Sequence, residues 1–178
     1  MDRNKLLRLA WTHELPATTD RFVAKEKFVI GVGPEASVKI WRINTDFANW
    51  FLGGDGVVEE PIPPRTLHCT KLWGEDYIPP IAIANEWGGE EQAETPLTVL
   101  YLLMKMQGKC ERGTLHTNDN SNYFFARDKG GVLRLVHIAG HHFGSEAGWR
   151  IYAYGGIERP FKLTRFQSYF FCKPQRDC

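Results

Sequence analysis

The chain lacks the paired cysteines that mark small zinc and redox motifs. Its 178 residues include four cysteines and no CxxC pair, which excludes a zinc knuckle and a thioredoxin-like motif. With 43% hydrophobic and 13% aromatic residues, a chain of this length can bury a core without a metal or a disulfide. We expect reduced thiols at Cys69, Cys110, Cys172 and Cys178.

Long apolar runs are also missing. The longest strongly apolar stretch, "LTVLYLLM" at 97–104, is far shorter than the roughly 20 residues needed to cross a bilayer. The basic start "MDRNKLLRLAWTHELP" is a poor signal peptide, because Arg8 interrupts its short apolar run. We therefore expect a soluble cytoplasmic protein that has no membrane partner.

A phosphate-binding loop is not indicated either. "GVG" at 31–33 lacks the GxGxxG pattern, and Pro34 leads into strand-like residues rather than into a helix N-terminus that could hold a phosphate. The sequence gives no other sign of a cofactor, so we expect none.

Charge is balanced overall but not along the chain. The net charge is +1, yet residues 53–94 carry nine acidic side chains against Arg65 and Lys71, a net of −7. Residues 149–178 carry six basic side chains against Glu158 and Asp177, a net of +4. The two segments can neutralise each other within one fold, or the basic segment can face an anionic partner.

One helix and several strands dominate the pattern. Thr95 as a cap, Pro96 at the first helical position and Gly108 at the end predict a helix over about residues 96–107. Four strand-like runs, "NYFFAR", "VLRLVHI", "WRIYAY" and "RFQSYFF", predict a C-terminal antiparallel meander. In the N-terminal half, "NTDFANWFLGG" predicts a short helix, and "TLHCTKLW" and "IAIAN" predict short strands.

These elements predict an α+β fold in which the central helix packs on the four-stranded meander. The absence of a linker or an internal repeat predicts a single domain over residues 1–178. We expect its ends, about residues 1–20 and 173–178, to be flexible.

Several segments together resemble an uncharacterised family of small single-domain proteins from candidate-phylum bacteria. The resemblance lies in "FVAKEKFVIG", "EASVKI", "FANWFLG", "AETPLTVLYLLMKMQGK", "SNYFFARDKGGVLRLVHI" and "GWRIYAY", over roughly residues 22–155. It implies a small fold and a bacterial source. It implies no activity, cofactor or site residue.

Three histidines, His137, His141 and His142, are weak candidates for a metal site. His137 falls on a strand predicted over residues 132–138, whereas His141 and His142 fall in a predicted loop beyond Gly140. Zinc requires three or four convergent ligands. The pattern does not bring the three imidazoles together, so we expect no bound metal.

A cysteine hydrolase is an alternative that the sequence supports poorly. Such an enzyme needs a cysteine that is activated by a histidine. His68 and Cys69 are neighbours on a predicted strand and should point to opposite faces. A pairing of Cys69 or Cys110 with His116 or His137 stays open.

Two C-terminal strands predict an aromatic platform. Arg150, Tyr152 and Tyr154 alternate on one face of "WRIYAY", and Gln167, Tyr169 and Phe171 alternate on one face of "RFQSYFF". If the faces coincide and are exposed, they can stack the bases of a single-stranded nucleic acid. Four basic residues would surround them: Arg159, Lys162, Arg165 and Lys173.

Our interpretation is a non-catalytic binding module whose partner is another protein, met through an exposed aromatic or charged surface. No set of nucleophile, base and orienting residue is recognisable, so we do not expect an enzyme. Binding of single-stranded nucleic acid through Arg150, Tyr152, Tyr154, Arg165 and Tyr169 is the first alternative. A cysteine- or metal-dependent hydrolase is the second.

Overall fold

Most strands of the protein belong to one mixed sheet. They are β1 (Leu7–Leu15), β3 (Ile40–Ile43), β5 (Arg65–Leu72), β7 (Asn122–Arg127), β8 (Leu133–Phe143), β9 (Glu146–Tyr154) and β11 (Ser168–Pro174). Their order in the sheet is β1-β5-β11-β7-β8-β9-β3. Two short pairs lie outside it, β2 (Phe22–Val23) with β4 (Val58–Glu59) and β6 (Tyr77–Ile78) with β10 (Phe161–Lys162).

In the described part of the chain, five short α-helices accompany the strands: α1 (Ala24–Lys27), α2 (Thr45–Phe47), α3 (Pro80–Trp87), α4 (Glu90–Ala93) and α5 (Leu97–Met106). A π-helical turn, Ala48–Leu52, directly follows α2. The structure is a computed structural model that describes residues 6–72, 77–117, 122–143, 146–158, 161–162 and 167–174. Within those ranges no helix is long and apolar enough to cross a membrane.

The predicted fold class is wrong. The protein is a seven-stranded mixed sheet with a few short helices, 39% strand and 23% helix, and not a central helix on a four-stranded meander. β7, β8 and β9 are antiparallel neighbours in chain order. β11 does not continue this series, because it lies on the other side of β7, parallel to β7 and antiparallel to β5. Between the end of β9 at Tyr154 and the start of β11 at Ser168 the chain passes from one side of β7 to the other.

β7 and β11 carry nearly the same residues in register. Asn122–Ala126 reads NYFFA, and Ser168–Cys172 reads SYFFC. The parallel register aligns Tyr123 with Tyr169 and Phe124 with Phe170. All ten residues are buried, as is typical of a central strand that is covered on both faces.

The two faces of the sheet have separate cores. On one face, which we name the α5 face, Leu100 of α5 belongs to a cluster with Phe124 and Phe170. On the opposite face, which we name the α3 face, Ile83 of α3 belongs to a cluster with Phe125 and Phe171. The alternation of side chains along β7 and β11 thus distributes their aromatic residues between two layers of helices.

The first turn of α5 is held by a carboxylate from β4. Glu59 accepts hydrogen bonds from the backbone N–H of Leu97 at 2.7 Å and from the N–H of Thr98 at 2.8 Å. A negative charge at a helix N-terminus is also favoured by the helix dipole. Thr95, predicted as the cap, instead donates its hydroxyl to the carbonyl of Phe170 at 3.2 Å and ties the start of α5 to β11.

Residues predicted as strand at "IAIAN" form α3. Pro80 stands at the start of this helix, where the missing N–H costs nothing. Gly88, with φ of 120°, follows its last residue. An apolar run of this length is compatible with a short helix as well as with a strand, and the flanking proline and glycine favour the helix.

The predicted end of β8 at Ile138 is also wrong, because the strand continues through His141 and His142 to Phe143. Gly140 lies inside it and pairs with Trp149 of β9. A Cβ atom at Gly140 would lie 2.5 Å from the carbonyl oxygen of Thr117. The glycine therefore permits close packing within the strand and does not reverse the chain.

Candidate functional site

A ladder of four rings crosses four adjacent strands on the α3 face. The register aligns Tyr169, Tyr123, His137 and Tyr152, which lie on β11, β7, β8 and β9. The ring centroids are 5.3 Å apart for Tyr169 and Tyr123, 4.9 Å for Tyr123 and His137, and 5.4 Å for His137 and Tyr152. Rings stacked in this range attract each other beyond the effect of their burial. The register of the sheet therefore holds the four rings as one ordered stack.

The ladder runs from the core to the surface. Tyr169 is 0% exposed and Tyr123 is 2% exposed, whereas His137 and Tyr152 are half-buried. α3 covers the inner part of this face, where Trp87 stacks on Phe171 at 4.3 Å. The side of Tyr152 that faces away from His137 is consequently a place where one more planar group can stack.

Nothing in the described part of the sheet continues the ladder beyond Tyr152. Its only ring contact among the described residues is with His137. β3, the next strand, ends at Ile43, and Asn44 then caps α2 by accepting the N–H of Phe47 at 2.9 Å. The ladder therefore ends where the edge strand ends.

His137 is an uncharged member of the ladder. Burial lowers the pKa of His137 to about 4, so its imidazole is neutral at neutral pH. Nδ1 lies 3.3 Å from the hydroxyl of Tyr154, and Nε2 is buried without a hydrogen-bond partner. A neutral ring in this position stacks like the tyrosines, and its protonation state does not change near pH 7.

Two arginines and two further rings lie beside the outer end of the ladder. The parallel pairing of β3 with β9 sets Arg42 next to Arg150, and Arg42 is exposed. Arg150 Nη2 donates to Nε2 of His141 at 2.8 Å, and the His141 ring meets Trp41 edge-on at 5.8 Å. We name these five residues, Trp41, Arg42, His141, Arg150 and Tyr152, the aromatic-basic patch. The patch carries two permanent positive charges and no carboxylate.

A bulge in β3 and a glycine in β9 position Trp41 in this patch. The register between the two strands shifts between Ile40 and Arg42, so Trp41 is the extra residue. A Cβ atom at Gly148 would collide with the indole of Trp41. Gly148 therefore lets the indole lie directly on the backbone of β9.

The residues of the predicted platform share a face but differ in exposure. Tyr152 and Tyr169 are joined through the ladder, and the ring of Tyr154 lies 6.2 Å from that of His137. Tyr169 is fully buried, so it presents no ring to a ligand. Arg150, Tyr152 and Tyr154 are half-buried. The remaining predicted cations lie outside the described residues or have side chains that do: Arg159, Lys162, Arg165 and Lys173.

Two members of the patch were missed from the sequence. Trp41 and Arg42 reach the patch only because β3 pairs with β9, more than one hundred residues away along the chain. The short run "IWRI" was recognisable as a strand, but a strand pattern does not name its partner.

The three histidines are not brought together. His137 and His141 share the α3 face but are four residues apart on one strand, about 13 Å at the usual rise. His142 lies on the opposite face, and its Nε2 donates to the carbonyl of Thr117 at 2.9 Å. Among the described residues there is no group of three potential metal ligands.

The described cysteines lie in environments that suppress their reactivity. Burial raises the pKa of Cys69 to about 11, the pKa of Cys110 to about 11 and the pKa of Cys172 to about 12. A nucleophilic cysteine requires a shift in the opposite direction. These three thiols therefore give no support to the cysteine hydrolase.

Cys69 does lie near a histidine, through a serine that the sequence did not single out. The Ser168 hydroxyl lies 2.8 Å from Nε2 of His116 and hydrogen-bonds to the Cys69 thiol. Ser168 is fully buried, and Asn122 fixes the His116 backbone by accepting its N–H at 2.8 Å. The cluster satisfies polar groups at one end of the sheet. Its serine is closed to substrate.

Comparison of the chain with protein-family models, with curated proteins and with solved structures finds no match. The resemblance to the family from candidate-phylum bacteria remains a prediction. The geometry of the site alone therefore supports the function that follows.

Proposed function

We propose that the protein is a binding module for single-stranded nucleic acid and that the aromatic-basic patch is its binding surface. The observation that carries the proposal is the ring ladder that ends at Tyr152 with two arginines beside it. A base stacks on the outer face of Tyr152, as the next ring of the ladder. Arg42 and Arg150 bind the neighbouring phosphates.

Stacking supports this ligand because every base has a planar face, whatever its sequence. Tyr152 is held from behind by His137, Tyr123 and Tyr169. A ring that is already ordered loses little conformational entropy when a base stacks on it. The ladder thus supports affinity without requiring sequence preference.

Charge supports the same ligand. Arg42 has no carboxylate of the described chain within ion-pair distance, so its charge is available to an anion. Arg150 keeps donors beyond the one that it gives to His141, because a guanidinium has five N–H groups. A duplex fits less well, since its bases are already stacked on each other.

The test is fluorescence anisotropy with a labelled single-stranded RNA of mixed sequence, about 12 nucleotides long. Tyr152→Ala should weaken binding about 5- to 150-fold, the value of one base stack of about 1–3 kcal/mol. Tyr152→Phe keeps the ring and should bind as the unchanged protein does. Equal affinity for Tyr152→Ala and Tyr152→Phe would refute the role of stacking.

The salt dependence tests the arginines separately. Two phosphate contacts predict that log K falls against log salt with a slope of about −1.4, at about −0.7 for each contact on a single strand. Arg42→Ala should lower the slope by about half. Arg8→Ala, an exposed arginine on the distant strand β1, is the matched control and should leave it unchanged.

Absence of RNA binding at low salt would refute the proposal. A protein partner, which was the first interpretation from the sequence, would then be the remaining candidate, and its binding should also weaken in Tyr152→Ala. The salt dependence distinguishes the two ligands, because only an oligonucleotide gives the salt slope of a polyanion.

A further inference from the structure

A second surface, on the α5 side of the molecule, carries two lysines without an ion-pair partner in the described part of the chain. It is an open cleft of about 280 Å³ between the segment 17–22, Lys27 and one side of α5. The volume lies just below the roughly 300–1,000 Å³ of typical small-molecule sites. A ligand of metabolite size fits it, and a folded partner does not.

The charges that line the cleft favour a dianion. Three cationic side chains, Arg21, Lys27 and Lys105, stand against the single carboxylate of Asp20, a net charge of +2. Arg21 lies 3.8 Å from Glu60, and both of these side chains are exposed, so solvent screens the pair.

The two lysines of the cleft are not neutralised. No carboxylate of the described chain lies within ion-pair distance of Lys27 or Lys105. The neighbouring Lys25, on the same short helix as Lys27, is paired with Asp55 at 3.6 Å and bonds the carbonyl of Gly54. The two lysines of α1 therefore differ: Lys25 has an ion-pair partner and lies outside the cleft, whereas Lys27 lines the cleft and has none in the described chain.

A hydroxyl and an aromatic ring complete the cleft. The Thr18 hydroxyl accepts the N–H of Ile62 at 2.9 Å, so its own proton is left to donate. The ring of Tyr101, which packs on the buried Phe22 at 5.9 Å, forms an apolar wall. A ligand that has both a charged and an apolar end complements these features.

We propose that this cleft binds a small phosphate monoester, with Lys27, Lys105 and the Thr18 hydroxyl on the phosphate and its organic part against Tyr101. Lysine ammonium groups bind phosphate as compact point charges, and two of them match the charge of a monoester at neutral pH. A carboxylate carries one charge fewer and fills the same place less well. The site lies apart from the aromatic-basic patch and does not depend on the proposed function.

The experiment is calorimetric titration of the full chain with phenyl phosphate, inorganic phosphate and benzoate. Phenyl phosphate should bind most tightly, because it alone combines the dianion with a ring. The double variant Lys27→Gln, Lys105→Gln should bind it at least about tenfold more weakly, since two charged contacts are removed. The conservative Lys105→Arg should retain most of the affinity.

The matched control removes two lysines that lie outside the cleft. Lys39 and Lys109 are suitable because they are neighbours through the backbone, where the Lys39 N–H donates to the carbonyl of Gly108 at 2.9 Å. Lys39→Gln, Lys109→Gln should bind phenyl phosphate as the unchanged protein does, and so should Tyr152→Ala. Equal losses in the two double variants would mean general charge attraction and would overturn the site.

Two further results would also overturn the proposal. One is no heat of binding for phenyl phosphate at millimolar concentration with folded protein. The other is benzoate binding as tightly as phenyl phosphate, which would make the site a carboxylate site. Circular dichroism of each variant verifies that the lysines were removed without loss of the fold.

Discussion

Asp128 makes the turn between β7 and β8 the clearest place to test the energetics of the fold. Its Oδ1 accepts the N–H of Gly130 at 2.8 Å and the N–H of Val132 at 3.0 Å. Its Oδ2 accepts from Nε of Arg134 at 2.9 Å. The Asp128 side chain is only 5% exposed. One carboxylate thus fixes the turn and one neighbouring side chain.

We predict that Asp128→Ala lowers the free energy of unfolding by about 3.5 kcal/mol. The estimate takes about 1 kcal/mol for each backbone bond, since the N–H groups of the turn can regain water, and about 1.5 kcal/mol for the bond to the guanidinium. Asp128→Asn keeps an acceptor for the two N–H groups and loses the bond to the guanidinium, so it should cost about 1.5 kcal/mol. Urea unfolding followed by tryptophan fluorescence measures both values.

The pH dependence gives an independent check of the same carboxylate. Burial acts to raise the pKa of Asp128, but the hydrogen bonds from Val132, Arg134 and Gly130 outweigh it and hold the pKa below its ordinary value of 3.8. A lowered pKa in the folded state adds stability that is complete above the unfolded-state pKa. This stability is lost as the pH falls through the folded-state pKa. The difference between the unchanged protein and Asp128→Asn should therefore shrink as the pH is lowered from about 5.

A surface ion pair is the control for this prediction. Asp55 lies 3.6 Å from Lys25 and is fully exposed, so Asp55→Asn should leave the unfolding free energy unchanged within the error of the measurement. The reasoning fails if Asp128→Asn is as stable as the unchanged protein at pH 7. It also fails if the two remain equally far apart at acid pH.

Two further predictions concern the buried strands. A double-mutant cycle with Phe124→Leu and Phe170→Leu should show a coupling of about 0.5–1.5 kcal/mol in urea unfolding, because their rings stack at 4.8 Å; additive losses would contradict the stack. In the folded protein, Cys69, Cys110 and Cys172 should react with a thiol reagent far more slowly than in urea, since burial raises their pKa values. Mass spectrometry after timed alkylation measures the rate at each site. Fast labelling of Cys69 in folded protein would contradict this prediction and support the cysteine hydrolase.

Local signals predicted several elements but not their partners. The apolar pattern at 96–107 agrees with α5 at Leu97–Met106, although Thr95 is not its cap, and "TLHCTKLW" overlaps β5 at Arg65–Leu72. The fold class nevertheless came out wrong. The strand "RFQSYFF" was assigned to its neighbour in sequence, whereas β11 crosses over to β7. Turn residues report a tight hairpin, and they carry no information about a crossover.

The sequence did contain a sign of the true arrangement. NYFFA and SYFFC leave no polar face, whereas the outer strand of a meander with one exposed side should alternate. Two such runs predict two strands that are both central. The composition of the runs therefore argues for a larger sheet that is covered on both faces.

The candidate site was predictable in part. Alternation correctly set Tyr152 and Tyr154 on one face of β9, because a strand has a period of two. Exposure was not predictable, since the covering of Tyr169 depends on helices that lie far away in the chain. The contribution of Arg42 depends on the pairing of β3 with β9, which no local pattern shows.

The proposed binding surface follows from where one edge strand stops. In the parallel pair of β7 and β11 like residues align, which sends the tyrosines to the α3 face and the phenylalanines of the next position to the α5 face. The tyrosine row continues through His137 to Tyr152. At that point Asn44 replaces a further strand residue, since its side chain exchanges hydrogen bonds with the backbone of Ala153 at 3.1 Å in both directions. Had β3 continued with a large residue at this rung, that side chain would occupy the outer face of Tyr152. The early end of β3 thus leaves the stack open to a ligand.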